Sequence, residues 1–268
     1  MKINEKISQA RKSYLKNLKR NLVIIWTFRI FILLSFIALW EILASKQIID
    51  AFLFSSPSRI AKTINDLFKD GELFKHIGTT LYETIIGFLI ATIAGTFIAT
   101  LLWLSTRLRS ILEPYVVVFN ALPKIALGPV IIIAFGAGIK SIVVMTVLVT
   151  VIVTIINMLT GFLQTDNGKI FLLQSMGASK MQILTRLIIP NSIPTLISTL
   201  KVNVGLSWIG SIMGEYIVSK QGLGYLIVYG GQVLKLDLVM ASTVILCLLA
   251  GVMYASVALL EKKITKWQ

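Results

Sequence analysis

Long apolar runs alternate with short polar segments along this chain, and their lengths predict membrane-spanning helices. A bilayer core about 30 Å thick is crossed by about 20 apolar residues in a helix. Five runs reach that length without interruption: Leu22–Leu43, Leu81–Leu104, Ile139–Leu163, Ser192–Tyr216 and Val239–Leu260. We expect each of them to form a transmembrane helix.

A sixth apolar run, Pro114–Phe135, is long enough to span the membrane but contains Pro114, Pro123 and Pro129. Proline removes a backbone donor and bends a helix. The freed backbone groups must then be buried in protein or face a cavity. We therefore predict a bent sixth span, and an all-α integral membrane fold with about six transmembrane helices.

Composition supports the membrane class and excludes several kinds of site. The 268 residues are 56% hydrophobic and only 14% charged, with a mean hydropathy of +0.85, whereas soluble domains are about 25% charged. Cys247 and His76 are the single cysteine and histidine of the chain, so disulfides and a zinc site are not expected. The sequence has no phosphate-binding glycine loop and no nucleophile–base pattern. We predict that the chain is not an enzyme and binds no metal or cofactor itself.

Three acidic residues lie within the apolar runs: Glu41, Glu83 and Glu215. All fall near the outer ends of predicted spans, where a charge costs less than at the bilayer centre. A proton-driven transporter is expected to carry an acid at mid-membrane, and this pattern disfavours that class.

The distribution of Lys and Arg predicts the topology. Residues 1–21, 105–113, 164–190 and 261–268 together hold 15 of these residues, and residues 44–80, 136–138 and 217–238 hold 7. Basic loops stay on the cytoplasmic side, so both termini are expected inside. Most of the net charge of +14 then lies on the side of the inner leaflet, and nucleic-acid binding is disfavoured.

The N-terminal segment, residues 1–21, forms a predicted tail of its own. The apolar run that follows is too long for the core of a cleaved signal peptide, so we expect an uncleaved anchor. Basic residues occupy one predicted face of the tail. Apolar side chains recur at helical spacing on the opposite face: Ile3, Ile7, Ala10, Tyr14 and Leu18. This pattern fits a helix lying on an anionic membrane surface and equally a solvated basic tail.

Two features within the spans carry candidate roles. Small residues repeat every four positions at Gly87, Ala91, Gly95 and Ala99, which lets a neighbouring helix approach closely. The neighbour is either another subunit or another helix of the same bundle. Lys124 and Lys201 lie about ten residues into their spans; Lys124, between Pro123 and Pro129, is a candidate pathway residue, and Lys201 fits a helix that begins below the membrane plane.

The loop 164–190 is the longest predicted cytoplasmic connection between spans. A turn at residues 166–168 precedes a helix-compatible run, Gly177 interrupts it, and Ser179 is placed to cap a second helix. Four apolar residues recur on one predicted face of the second helix, and Pro190 ends the unit: Met181, Leu184, Leu187 and Ile188. The segment is either a connector or the docking site of a partner.

Three motifs resemble binding-protein-dependent ABC transporter permeases. Gly177, followed after nine intervening residues by Leu187–Ile188–Ile189–Pro190, matches the family's cytoplasmic loop. The stretch "QGLGYLI" (221–227) matches a second motif, with Gly222 and Gly224, and "LPKIALGPV" (122–130), followed by "FGAG", resembles a third. The likeness extends from about Ser56 to the C-terminus. It is strongest to the branch that includes nitrate, sulfonate, taurine and bicarbonate importers and their pyrimidine-transporting relatives.

The resemblance implies a type I importer permease and its partners. Residues 22–268 would form the permease domain, pairing with a second permease subunit, identical or different. The loop 164–190, with Gly177, Ala178, Ser179, Lys180, Leu187 and Pro190, would couple to a cytoplasmic ATPase that binds the ATP. An extracytoplasmic solute-binding protein would deliver a small anion or small organic solute. Where the family has Glu-Ala-Ala, this chain has Phe171–Leu172–Leu173. The departure is compatible with a more apolar docking surface, with weaker coupling, or with a charge supplied by a partner subunit.

Two other classes remain open at the level of sequence. One is a secondary transporter or channel that needs no ATPase, and the other is a scaffold subunit of a membrane complex. Retention of an ATPase subunit on purification separates both from the importer interpretation.

The predicted topology is tested by cysteine labelling in a Cys247→Ala background. Asp66→Cys lies in an outer loop and Lys180→Cys in an inner one, so we expect a membrane-impermeant maleimide to label only Asp66→Cys in intact cells. Labelling of Lys180→Cys should need permeabilised cells. If both positions label from the same face, the six-span topology is wrong.

Overall fold

Helices make up nearly all of the chain in the computed structural model, which describes residues 2–264. No strand occurs among these residues. The chain separates into two compact units, residues 1–63 and 64–268. The prediction of an all-α fold is confirmed.

The first unit is dominated by one long helix. Helix α1 (Lys2–Ser45) passes through residues 21 and 22 without a break, so the basic tail and the first predicted span are one helix. Helix α2 (Ala51–Phe54) follows, and α3 (Pro57–Lys69) begins in this unit. The side chains of Ile3, Ile7 and Ala10 lie outside the described residues, so the predicted amphipathic face of the tail stays a prediction.

The second unit contains the remaining helices. The long ones are α4 (Glu72–Leu104), α7 (Ile139–Leu163), α11 (Ile193–Val218) and α13 (Leu236–Ile264). The shorter ones are α5 (Thr106–Ala121), α6 (Gly128–Phe135), α8 (Asn167–Ser175), α9 (Lys180–Ile183), α10 (Ile189–Asn191) and α12 (Leu223–Gln232). A 3₁₀ turn (Lys124–Leu127) precedes α6, and a π-helical turn (Leu184–Ile188) joins α9 to α10.

The number of spans agrees with the sequence. Among the described residues, five helices are long and apolar enough to cross a membrane, and the bent pair makes up to six. Those five helices are Ser13–Ser45, Glu72–Leu104, Ile139–Leu163, Ile193–Val218 and Leu236–Ile264.

The sixth predicted span is bent, as expected, but not at each of its prolines. Thr106–Ala121 and Lys124–Phe135 meet at 86°. Pro123 lies at this break, whereas Pro114 sits inside the intact helix α5 and Pro129 occupies the first turn of α6. The first turn of a helix needs no N–H from its proline, so only Pro123 marks the bend.

Helices α4, α7 and α11 pack closely because glycine residues lie at their points of contact. A Cβ atom added to Gly87 would collide with the Thr146 side chain, and one added to Gly95 would lie 2.6 Å from Cβ of Thr154. A Cβ atom on Gly210 of α11 would lie 2.6 Å from Cα of Thr146, the same residue that Gly87 contacts. The stripe that begins at Gly87 is therefore packed against α7 of the same chain, and its other members, Ala91 and Ala99, are fully buried.

Buried polar side chains also connect these three helices. The amide nitrogen of Asn203 donates to Thr92 Oγ1 at 3.0 Å and to Thr154 Oγ1 at 2.9 Å. The hydroxyl groups of Thr84 and Ser211 share a hydrogen bond of 2.7 Å. Interhelical hydrogen bonds of this kind contribute roughly 1 kcal/mol each in a bilayer, so they supplement the close packing.

Helices α12 and α13 form a second packing region with α11. Their buried apolar residues form one cluster: Val204, Trp208, Leu223, Leu226, Leu238 and Ile245. Lys201 pairs with Glu261 of α13 at 2.5 Å between Nζ and Oε2. The ammonium group of Lys201 thus has a carboxylate partner within the bundle.

The close packing of α7 and α11 is tested by two alanine substitutions on the same helix. Gly210→Ala places a methyl group against the backbone of Thr146, and we expect it to destabilise the protein by about 1–3 kcal/mol. Gly205→Ala is the control, because a Cβ atom there meets nothing within 4 Å; its effect should stay within about 1 kcal/mol. Thermal unfolding followed by tryptophan fluorescence measures both. Equal stabilities for the two variants would contradict this packing.

Candidate functional site

The loop 164–190 begins with a capped helix. The side chain of Asp166 accepts a hydrogen bond of 2.7 Å from the backbone N–H of Gly168, and α8 starts at Asn167. Residues 166–168, where the sequence predicts a turn, are therefore the N-cap and the first turn of α8. An aspartate that accepts a hydrogen bond from the N–H two residues later is found both in turns and at helix N-caps.

Gly177 ends α8 in a backbone conformation that favours glycine. Its φ is +80°, its N–H donates to Gln174 O at 2.9 Å, and Ala178 N–H donates to Leu173 O at 3.0 Å. These two bonds form a Schellman motif, which satisfies the last carbonyl groups of a helix. Leu173 and Ala178 also pack against the same apolar cluster, which fixes the direction in which the chain leaves α8.

Ser179 starts α9 with a reciprocal cap, as the sequence predicts. Gln182 N–H donates to Ser179 Oγ at 3.3 Å, and Ser179 N–H donates to Gln182 Oε1 at 2.7 Å. Such a capping box satisfies two donors that a helix terminus otherwise leaves free. Lys180 is the first residue of α9 and is exposed.

The inward face of the loop differs from the predicted one. Ile183, Leu184 and Ile188 are buried, and Leu187 is partly buried, but Met181 is 60% exposed. A π-helical turn follows α9, in which Ile189 N–H donates to Leu184 O, five residues earlier. Met181 lies before this turn, in the first turn of α9, and is outside the buried face.

Pro190 lies one residue before the end of the loop's last helix, α10. It lies within α10, and the chain continues through Ser192 into α11. Proline has no N–H to donate to the preceding turn, and the π-helical turn lies directly before it. Asn191 Nδ2 donates to Thr165 Oγ1 at 3.2 Å, which joins the end of the loop to its beginning.

The buried side of the loop packs on the ends of two long helices. Ile183, Leu184 and Ile188 form one cluster with Met158 and Phe162 of α7. Ala99, the last member of the small-residue stripe on α4, belongs to the same cluster. The loop is therefore attached to α7 through side chains and to α11 through the backbone.

The exposed side of α8, which faces away from the bundle, carries an apolar patch. Phe171 is 71% exposed, Leu172 60% and Met176 74%; we call these three residues the docking patch. Lys169 and Lys180 flank it in sequence and are also exposed. An exposed apolar group rimmed by polar residues marks a contact surface.

The bent segment holds the candidate pathway residues. Lys124 follows the break at Pro123, is partly exposed, and donates from Nζ to Asn120 O at 3.3 Å. Pro129 starts the next helix, where Ile133 is 86% exposed. Lys124 thus makes one long hydrogen bond, and an apolar surface near it in sequence is exposed. Both features fit a region that faces a partner subunit or the solute pathway.

The glycines of the "QGLGYLI" motif allow close approach of a carboxylate. Gly224 N–H donates to Glu215 Oε2 at 2.6 Å, and Tyr225 N–H donates to the same oxygen at 3.3 Å. A Cβ atom on Gly224 would lie 2.8 Å from this oxygen, and one on Gly222, whose φ is +113°, would collide with the carboxylate. Glu215 therefore caps the N-terminus of α12, where a negative charge is favoured.

Two residues of α4 complete this cap, and sequence reasoning missed them. Gly222 N–H donates to His76 Nδ1 at 2.9 Å, and Leu223 N–H donates to Thr80 Oγ1 at 2.8 Å. His76 and Thr80 are four residues apart on one helix face, which is the only signal that the sequence offered. Both lie more than 140 positions from their partners.

Comparison with known sequences identifies the family. The family described as binding-protein-dependent transport system inner membrane component matches residues 87–266. The taurine transport system permease protein TauC of Escherichia coli strain K12 is 25% identical, covering 99% of this chain and 97% of that protein. The formylaminopyrimidine transport permease protein ThiX of Halalkalibacterium halodurans is 31% identical, covering 72% and 76%. The putative aliphatic sulfonates transport permease protein SsuC of Bacillus subtilis strain 168 is 27% identical, covering 87% and 84%.

Solved structures share the fold. An inward-facing structure of the MetNI methionine ABC transporter has a TM-score of 0.64 at 19% identity, covering 71% of this chain and 95% of that one. A bacterial ABC transporter involved in the import of the acidic polysaccharide alginate has a TM-score of 0.65 at 14% identity, covering 93% and 100%. The resemblance drawn from the three sequence motifs is thus confirmed. The chain belongs to the binding-protein-dependent transport system inner membrane component family, as a multi-pass ABC importer permease of the cell membrane.

Proposed function

We propose that this chain forms half of the solute pathway of an ATP-driven importer, and that a separate ATPase subunit docks on its 164–190 loop. The observation that carries the proposal is the docking patch. Phe171, Leu172 and Met176 are exposed on a loop whose two helices are capped at their junction. A surface of fixed shape loses little conformational freedom on binding, which suits a contact that transmits force.

The packing of the loop provides a route for that force. Its buried side chains contact Met158 and Phe162 of α7, and its last residue precedes α11 through Ser192. Helices α7 and α11 are in turn in close contact at Gly210. A displacement of the docking patch therefore moves the inner ends of two membrane helices together, which is what alternating access requires of this loop.

The chemistry of docking follows from the residues present. The family's acidic position is occupied by Phe171, so we infer that the contact here is mainly apolar. Lys169, Lys180 and Arg186 carry the nearby positive charge. The partner ATPase is then expected to offer an apolar groove with acidic side chains at its edge.

The remaining roles follow from the family. ATP binding and hydrolysis belong to the partner, and this chain binds no cofactor of its own. Residues 22–268 act as the permease domain, with residues 1–21 as a basic tail on the inner leaflet. A second permease subunit completes the pathway, and an extracytoplasmic binding protein delivers the solute. Because similar permeases are named for taurine, aliphatic sulfonates and formylaminopyrimidine, we propose a small sulfonate or a small nitrogenous organic solute.

The docking proposal is tested at Gly177 with two side chains of the same shape. Asn and Asp both tolerate a positive φ, and a Cβ atom at Gly177 meets nothing within 4 Å in the chain. Gly177→Asp adds a negative charge beside the docking patch, so we expect ATPase retention and uptake to fall about tenfold, a change of roughly 1.4 kcal/mol in binding. Gly177→Asn should lose much less.

The measurements are co-purification of the ATPase and solute-stimulated ATP hydrolysis and uptake in reconstituted vesicles. Membrane insertion and pairing of the permease subunits serve as controls and should be unchanged in both variants. Full uptake with full ATPase retention in Gly177→Asp would show that the loop is only a connector.

The pathway role of the bent segment is tested at Lys124. We expect Lys124→Ala to lower uptake while the ATPase remains bound, because the substitution removes a positive charge from the pathway and leaves the docking loop unchanged. Lys140→Ala, at the exposed start of α7, is the matched control and should transport normally. Normal uptake by Lys124→Ala would assign this lysine a structural role.

A further inference from the structure

The start of α12 depends on hydrogen-bond acceptors from two other helices. Its first N–H groups have no partner within their own helix, as at every helix start. Three side chains of α4 and α11 accept from them: Gly222 N–H donates to His76 Nδ1 at 2.9 Å, Leu223 N–H to Thr80 Oγ1 at 2.8 Å and Gly224 N–H to Glu215 Oε2 at 2.6 Å. One of these acceptors belongs to the single histidine of the chain.

His76 accepts its hydrogen bond only while the ring is neutral. A neutral imidazole has one donor and one acceptor nitrogen, whereas a protonated one has two donors. The bond from Gly222 N–H to His76 Nδ1, which we call the latch, therefore places the single ring proton on Nε2. That nitrogen lies 3.5 Å from Oε2 of Glu72. Because His76 is only 6% exposed, little water can replace the acceptor that a second proton removes.

The other two acceptors do not lose their function on gaining a proton. A threonine hydroxyl has no charge to change near neutral pH, and a carboxyl group keeps acceptor oxygens after protonation. Histidine is the side chain whose charge ordinarily changes between about pH 5 and 8. Of the three contacts at the start of α12, the latch is therefore the one that mild acid breaks.

The groups around the ring do not compensate for the loss of the latch. The charged side chains that act on His76 are Glu72 and Lys75. Glu72 already pairs with Lys75 at 3.4 Å and its side chain is 48% exposed, and exposed ion pairs contribute little. From α12, the Tyr225 ring stacks on the imidazole with the ring centroids 6.1 Å apart, at the limit of a cation–π contact. From α11, Glu215 is bonded to the backbone of α12.

Protonation of Nδ1 would set two buried N–H groups against each other. The backbone N–H of Gly222 would then lose its acceptor and face a second donor at hydrogen-bonding distance. A buried donor without a partner is costly, and this cost exceeds the gain from a half-exposed carboxylate. The proton therefore binds the state in which Gly222 has left Nδ1, and acid shifts the population toward that state.

We propose that His76 is a pH-sensitive switch on the outer side of the protein: neutral His76 fastens the start of α12 to α4, and protonated His76 releases it. His76 lies in the segment 44–80, which the charge distribution places outside. The switch does not rest on ATPase docking. The unfolded chain takes up the same proton without losing a hydrogen bond, so the stability of the folded chain falls as the pH falls through the range in which histidine titrates.

Release of the latch affects the outer end of α12 and leaves the helix in the bundle. Leu223 and Leu226 of α12 belong to one buried apolar cluster with Leu238 of α13, and these contacts do not depend on pH. We therefore expect a local loosening where α11 passes into α12, with a limited loss of stability.

The test uses the full-length chain in lipid nanodiscs, purified through a histidine-free tag so that His76 gives the only histidine signal. Histidine labelled with nitrogen-15 reports the proton on each ring nitrogen by NMR. At about pH 7.5 we expect a proton on Nε2 and none on Nδ1, and at about pH 5.5 a proton on both. Over the same interval the Tm, followed by tryptophan fluorescence, should fall by about 3 °C more in the wild type than in a variant without the latch histidine.

Two variants assign the pH dependence to the latch. His76→Asn places Oδ1 as many bonds from Cα as Nδ1, so it can accept from Gly222 N–H at every pH, and the additional fall in Tm should disappear. Any constant loss of stability in this variant leaves the comparison of the two pH values unaffected. Glu72→Gln is the matched control, because it keeps the latch and removes only the carboxylate that favours the protonated ring. Its fall in Tm should be at least as large as that of the wild type.

Two results would overturn the proposal. If the Tm of His76→Asn falls with pH as much as that of the wild type, the dependence belongs to other groups, such as the carboxyl groups of Glu83 and Glu215. A proton on Nδ1 at about pH 7.5 would show that the latch does not form.

Discussion

The close packing of α4 and α11 against each other and against Thr146 of α7 is the constraint on which the rest of the structure depends. Thr146 lies between Gly87 and Gly210, and neither position has room for a Cβ atom. In a bilayer, apolar helices gain little by leaving lipid for one another, so close van der Waals packing and polar contacts hold them together. The same closeness brings Asn203 within reach of Thr92 and Thr154. It also sets Glu83 beside Glu215, so the buried carboxyl pair at the outer ends of α4 and α11 is a consequence of the packing at the centre.

Helix α11 connects the two ends of the molecule that carry candidate functions. At its inner end it follows the 164–190 loop through Ser192, and near its outer end Glu215 caps α12. A rigid helix with specific contacts at both ends is a physical element through which two sites can influence each other. The contacts differ in kind: the inner end is held by apolar side chains and local caps, and the outer end by hydrogen bonds to a buried carboxylate. A shift at one end therefore acts on a different type of interaction at the other.

The sequence predicted what depends on local chemistry. The bounds of α7 agree with the apolar run, the bend lies at Pro123, and Ser179 caps α9, because length, proline geometry and side-chain caps act over a few residues. Helix α4 begins at Glu72, nine residues before its apolar run, since a helix continues through polar residues that find partners. The roles of His76 and Glu215 were not predictable, because their hydrogen-bond partners are brought to them by the tertiary fold. Neither the π-helical turn nor the exposure of Met181 was predicted.

The replacement of an acidic residue by Phe171 is consistent with the way this loop is built. A charged contact fixes the orientation of the partner because its hydrogen bonds are directional. An apolar contact is non-directional and depends on the complementary shape of the two surfaces. Shape requires that the surface itself be held in place. In this loop the Schellman motif at Gly177 and the capping box at Ser179 fix the junction of the two helices, and Asn191 joins the end of the loop to Thr165. Because this rigidity comes from the backbone and from the buried side, the outward residues at positions 171, 172 and 176 are free to be apolar without loss of a defined docking geometry.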